Sequence, residues 1–193
     1  MTPSPSRREP CGPAIRWVAR LVCFIACLGG ITEASSVRQF DLAGLCKNAH
    51  LIYRGTVLDA TPSTLNAGGG TIPIVTYRIQ VKEMLAGAAG EVIELRSLRS
   101  PKPVIQPGGA QWHSPLDLPE LSKGKEYLLF STRPSRIGLS TLVGLGQGLF
   151  SIQAQGNKEV AVNRVNNVGL GLPANGPMDY QEMADHIRRL KSK

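Results

Sequence analysis

Apolar and polar residues alternate most cleanly between 75 and 82. Val75, Tyr77, Ile79 and Val81 fall on one side, and Thr76, Arg78, Gln80 and Lys82 on the other. A period of two belongs to a strand with one buried face and one wet face. Residues 51–58 alternate in the same way, with Leu51, Tyr53, Gly55 and Val57 as the core-facing set. Gly55 inside that run predicts a bulge or sharp bend. Residues 91–98 form a third strand with Ile93 and Leu95 inward, and 126–132 are apolar on both faces, which predicts a central strand. A fifth strand is expected over 142–153, kinked at its start by Gly144, Gly146 and Gly148. Residues 159–165 pair back on it across a Gly156-Asn157 turn.

Two segments have the helical period instead. Leu42, Leu45, Cys46 and Ala49 share one face of a short helix over 40–49, with Asp41 as its N-cap. Asp179 caps a second helix whose apolar stripe is Tyr180, Met183, Ala184, Ile187 and Leu190. Arg188, Arg189, Lys191 and Lys193 suit the negative end of its dipole. Between the strands, 61–71 reads as a loop around Pro62 and the triplet Gly68-Gly69-Gly70. Residues 99–124 make a longer one, with Pro101, Pro103, Pro107, Pro115 and Pro119. Proline cannot donate to a ladder, so this stretch is no central strand. Loops of such length in compact domains usually carry function or lack structure of their own. Short strands spaced by Gly and Pro indicate an all-β fold, and their order and spacing predict a small closed barrel of five to six strands.

The first 34 residues change how the rest is read. Arg7, Arg8, Arg16 and Arg20 precede an apolar run over 21–31, and Ala34 supplies the small residue a signal peptidase requires. That run is well short of the roughly 20 apolar residues of a membrane span. Cleavage near Ala34-Ser35 is therefore expected. It leaves residues 35–175 as the barrel and 176–193 as a C-terminal helix packed on it. Cys11, Cys23 and Cys27 leave with the signal, so Cys46 remains as a lone thiol, expected to be buried and structural. The signal holds four Arg and two Glu, so the formal charge falls from +8 to +6. That modest excess fits an acidic partner, an anionic surface or simple solubility, and does not choose among them.

Three blocks carry a family resemblance: LCKNAHLIYRGTV at 45–57, VTYRIQVKEMLAG at 75–87 and KGKEYLLFS at 123–131. Together they resemble the netrin-like domain of tissue inhibitors of metalloproteinases, and uncharacterised bacterial secreted proteins of similar pattern. The resemblance covers about 45–153 and implies a five-stranded OB-type barrel. In that family a cysteine precedes an Ala-Asp-hydrophobic-hydrophobic strand. Cys46, Ala49, Leu51 and Ile52 match that pattern here, with His50 at the acidic position. The inhibitors begin their mature chain with a cysteine that binds the protease zinc. This chain is expected to begin at Ser35, so the inhibitory residues do not carry over.

Candidate chemistry is sparse. Cys46 and His50 are four apart, but a strand starts at His50 and breaks the shared helical face. His50, His113 and His186 show no metal-ligand spacing. The run Gly144-Leu145-Gly146-Gln147-Gly148 is followed by a strand, not by the helix a dinucleotide loop requires. No catalytic residue, metal or cofactor is therefore expected. The best contact candidates are Trp112 and His113 in the proline-rich loop, with Arg99 and Lys102 beside them; the alternative for Trp112 is that it folds back as a plug over the open end of the barrel. Arg96, Lys123 and Lys125 stand at the loop ends. The expected function is an exported, secreted or periplasmic, non-catalytic binding module. Its partner would be a protein or an acidic polymer. A bacterial envelope or matrix module holding acidic surfaces is the alternative, and an enzyme the third choice. Nucleic acid is not expected, because the exposed face of 76–82 offers no aromatic for stacking.

Overall fold

The computed structural model describes residues 38–99, the backbone of 104–105 and 111–112, and residues 118–192. The expected signal peptide lies outside the described residues. The elements run α1 (Leu42–Asn48), β1 (Leu51–Ala67), β2 (Gly70–Ala86), β3 (Val92–Leu98), β4 (Val104–Ile105), β5 (Gln111–Trp112) and β6 (Glu126–Ser131). A 3₁₀ turn (Leu145–Gly148) follows, then β7 (Leu149–Gln155), β8 (Lys158–Asn163), β9 (Met178–Asp179) and α2 (Tyr180–Lys191). Seven strands form one antiparallel sheet in the order β3-β2-β1-β6-β7-β8-β9, while β4 and β5 pair only with each other. The order has two ends, β3 and β9, so the sheet is open where a closed barrel of five to six strands was expected.

Each face of this sheet carries its own core. Leu128 and Phe130 of β6 point to one, with Ile52, Phe150, Leu42, Leu45 and Cys46, and with Tyr180, Met183 and Ile187 of α2. Tyr127 and Leu129 of β6 point to the other, with Tyr53, Val57, Tyr77, Ile79, Leu95 and Leu142. Strand β6 is thus buried on both sides and central, as its unbroken apolar run predicts. Strand β1 departs from expectation. Its predicted inner set is correct at Tyr53 and Val57, yet Ile52 and Arg54 on the opposite face are buried too. The helices cover that face. Asp41 caps α1 by accepting from Gly44 N at 2.7 Å. Asp179 caps α2 by accepting from Gln181 N at 2.9 Å and Glu182 N at 3.2 Å.

The loop expected over 61–71 is instead the outer half of a long hairpin. β1 and β2 pair without a register shift from Asp59↔Arg78 to Ala67↔Gly70. Gly68 and Gly69 have φ of +61° and +79°, the left-handed pair of a two-residue turn that matches strand twist. The prolines that signal a loop fit this ladder for a specific reason. Arg99 N donates to Pro73 O at 3.0 Å, so the polar backbone groups of Pro73 face outward, away from β1. Thr64 is opposite Pro73, and Pro62, two residues before Thr64, shares its orientation. Neither proline would have donated within the hairpin.

Gly55 lies at a register shift in β1, as predicted. A Cβ there would stand 2.7 Å from both Gln80 O and Ile79 Cγ2, so the hairpin closes there only on glycine. The fifth strand begins later than expected. Gly144 and Leu145 are left-handed (φ +61° and +55°) and open the 3₁₀ turn, so the glycines there end one pairing and start another. Ahead of it, the segment 140–143 bridges two strands. Ser140 N donates to Arg96 O on the outer edge of β3 at 2.8 Å, and Val143 N donates to Phe130 O on β6 at 2.8 Å.

Candidate functional site

A continuous chain of charged and polar side chains joins the sheet to α2. Arg54, buried in β1, donates through Nε to Glu126, and through Nη1 and Nη2 to Glu159 at 2.7 Å each. Lys82 also pairs with Glu126. The Arg54 guanidinium lies 4.4 Å from the centre of the Tyr180 ring, and Tyr180 donates its hydroxyl to Glu83. Glu83 in turn pairs with Arg188, which also holds Asp185 at 2.7 Å. Burial works against the charge on Arg54, but its hydrogen bonds to Glu159 and Glu126 outweigh it and raise its pKa. Burial likewise pushes Glu126 up, and the bonds from Arg54 and Lys82 overcome it and hold the carboxyl below its ordinary range. Each partner is engaged, and together they fasten α2 to the sheet. Arg54 is missed by pattern reading, although a charged residue between Tyr53 and Gly55 in an apolar strand was a usable sign.

Other sequence candidates separate. Cys46 is a free, buried thiol in α1. Burial pushes it up from 9.0 to about 11, with Lys191 lowering and Asp41 raising it by smaller amounts. A thiol kept protonated in this way is a packing group, not a nucleophile. His50 is exposed beyond the helix, its backbone N donating to Ser131 O at 2.8 Å. The Gly144–Gly148 run serves the chain itself. Gln147 Oε1 accepts from Phe40 N at 2.8 Å and Gln147 Nε2 donates to Arg38 O at 3.0 Å, clasping the segment before α1. Among the described residues no group of three His, Cys, Asp or Glu could hold a metal ion.

The proline-rich loop is fixed at both roots. Arg99 N is bonded to Pro73 O at its start. At its return Leu121 N donates to the Tyr77 hydroxyl at 3.3 Å, Ser122 N to the Tyr127 hydroxyl at 3.2 Å, and Gly124 N to Val57 O at 2.8 Å. The backbone of Trp112 pairs with Val104. His113 and Lys102 lie outside the described residues, so the four proposed contact residues are not seen assembled into one site.

A cationic surface does assemble beside the loop's first root. The turn 132–141 is closed on itself by Thr132 N to Thr141 O at 2.9 Å, Ser135 N to Leu139 O at 2.8 Å and Gly138 N to Ser135 O at 2.9 Å. It presents Arg133 and Arg136, both exposed. Arg96 of β3 reaches across to it, with Nη1 3.3 Å from where a Cβ on Gly138 would stand. None of these three arginines has an ion pair among the described residues, and 132–141 contains no carboxylate. Glu94 faces Arg78 directly across the ladder. Two arginines in a short acid-free loop, TRPSRIG, were the available signal. Among the described residues no helix is long and apolar enough to cross a membrane. The sequence matches no family model, and no curated protein is significantly similar to it.

Proposed function

We propose that this chain is an exported, non-catalytic binding module of the netrin-like, OB-type barrel class, and that its partner is acidic. The barrel reading is supported by the segment 140–143, which bonds to β3 through Ser140 and to β6 through Val143, where a closing stave would stand. The relationship to metalloproteinase inhibitors rests on the three sequence blocks. It does not extend to zinc chelation, because the expected mature start, Ser35, offers no thiol. The observation that carries the partner reading is the contrast in how charge is placed. Glu83, Glu126 and Glu159 are all in ion pairs, while Arg96, Arg133 and Arg136 stand at the surface without one among the described residues. Exposed unpaired cations steer and hold anions, and their contribution falls with salt.

The test is a titration of the purified exported chain, at low and high ionic strength, against dextran sulfate, polyglutamate, anionic vesicles and a neutral dextran. Binding to at least one anionic probe, weakened by salt and absent for neutral dextran, is the expected result. No binding to any anionic probe at low salt would overturn the reading.

A further inference from the structure

We infer that Arg96, Arg133, Arg136 and Ile137 form a docking tip for an anionic lipid surface. The inference deepens the acidic-partner reading above and rests on it.

The tip is built on the turn 135–138. Gly138 N donates to Ser135 O at 2.9 Å, so Arg136 and Ile137 are its two central residues and form the apex. Leu139 N is held by Ser135 Oγ and Thr141 N by Thr132 Oγ1, both at 3.1 Å, which stiffens the base. Ile137 is 45% exposed, among the most exposed large apolar side chains of the described residues. The others, Leu58, Val92, Val165 and Val168, lie on other segments. Ile137 alone sits in a turn that carries two arginines and touches a third. A single exposed aliphatic is ordinary on a protein surface. One at the apex of a hydrogen-bonded turn, beside arginines with no ion pair among the described residues, has the amphipathic make-up of an interfacial anchor, whose apolar part enters the acyl boundary while cations meet headgroups.

The other acidic partners fit less well. A sulfated or carboxylated polymer would use the three guanidiniums but would leave Ile137 in water, since such chains offer it nothing apolar. A protein partner would call for aromatic or clustered apolar anchors, and the described part of this surface has none. Three cations and one aliphatic make a weak, reversible anchor, since each cation near an anionic leaflet adds a modest increment.

The test uses the full exported chain in sedimentation with vesicles of phosphatidylcholine alone and of phosphatidylcholine with phosphatidylglycerol. Three variants accompany it: the triple Arg96→Gln, Arg133→Gln, Arg136→Gln; the single Ile137→Ser; and a charge-matched control, Lys47→Gln, Lys158→Gln, Arg189→Gln. All seven positions are exposed, and matching thermal melts will show that the variants fold. Expected is binding to the phosphatidylglycerol vesicles only. Losing the three arginines should weaken it about 100-fold, at roughly fivefold each, and the control should lose far less. Ile137→Ser should weaken vesicle binding several-fold and leave any dextran sulfate binding unchanged. Equal losses in the two triples, or an unaffected Ile137→Ser, would overturn the proposal. Binding to dextran sulfate or polyglutamate without vesicle binding would also overturn it, while leaving the acidic-partner reading intact. Failure with every anionic probe would remove both.

Discussion

The two faces of the sheet handle charge in opposite ways. On the helix-covered face, Arg54 is drawn into the protein and surrounded by Glu126, Glu159 and the Tyr180 ring. On the other face the interior polar groups are neutral. The Tyr77 and Tyr127 hydroxyls accept from loop backbone, and Tyr53 is fully buried. Charge without an ion pair among the described residues lies instead at the edge of the sheet, on Arg96 of β3 and on Arg133 and Arg136 of the turn 132–141. A buried cation must be paired or it unfolds its surroundings. A rim cation can stay unpaired at little cost in stability, and so remains free for a partner. The same residue type thus fastens a helix in one place and is available for binding in the other.

Replacing one arginine from each region tests this contrast most strongly. Arg54→Ala should cost about 3–5 kcal/mol, because it leaves Glu126 in a half-dry site with Lys82 as its sole ion-pair partner among the described residues and removes the guanidinium against which Tyr180 stacks. Arg136→Ala should stay within about 0.5 kcal/mol. Urea titration of both variants measures the difference, and equal losses would break the comparison.

A smaller effect is expected from pH. The carboxyls of Glu126 and Glu159 are held below their ordinary value of 4.5 by their bonds to Arg54, against the burial of Glu126. A depressed folded pKa means that the unfolded chain takes up protons first as pH falls. Their contribution is then complete above about pH 4.5 and is lost on descending through the folded values. Glu126→Gln should be about 1–2 kcal/mol less stable than the parent at pH 7, and the gap should narrow as the pH drops below 4. A gap that is constant with pH would show that the carboxylate's charge is not what Arg54 requires.

This network also marks the limit of what pattern reading reaches. Periodicity located α1, α2, β2, β3, β6 and the β7–β8 turn, because each buries a regular stripe. It failed at 61–71, where Pro62 and three glycines look like a loop in composition. Only the register shows that the nitrogens of Pro62 and Pro73 point away from the pairing. It failed again at 142–148, where spacing cannot distinguish a kinked strand from a 3₁₀ turn. Arg54 was assigned to a wet face because covering by two helices from opposite ends of the chain leaves no trace in local alternation. Cys46 was legible because an isolated thiol on an apolar helical stripe has one common fate. Of the proposed contact residues, the cationic neighbourhood at Arg96 and Arg99 was visible as charge near a loop end. Its completion by Arg133 and Arg136 depends on a long-range bond between Ser140 and β3.

Cys46 sharpens the comparison on the helix-covered side. Burial raises its thiol from 9.0 to about 11. A raised folded pKa contributes stability that is full below the unfolded value and is lost between pH 9 and about 11. Native labelling with a thiol reagent at pH 8 should therefore be slow and become fast in denaturant. Rapid native labelling would mean that α1 opens on its own and that this face is less tightly held than its ion pairs imply.

The smallest stability effect is expected at Trp112, on which the binding reading and a core-plug reading disagree. Its backbone pairs with Val104 in a two-strand ladder that shares no hydrogen-bonded strand with the main sheet. The second core is already lined by Tyr53, Tyr77, Tyr127, Leu129 and Leu142. A side chain on a separate ladder loses little on truncation unless it folds back onto that core. Trp112→Ala should then shift stability by less than about 1 kcal/mol, whereas a core aromatic would cost about 3–5 kcal/mol. Tryptophan fluorescence reports the same residue directly, because Trp17 belongs to the expected signal and Trp112 is the one tryptophan left after cleavage. An exposed Trp112 should be quenched readily by iodide in the free protein and protected when an acidic ligand is bound. A large loss of stability together with resistance to quenching would make Trp112 part of the second core, and binding would then fall to the arginine rim alone.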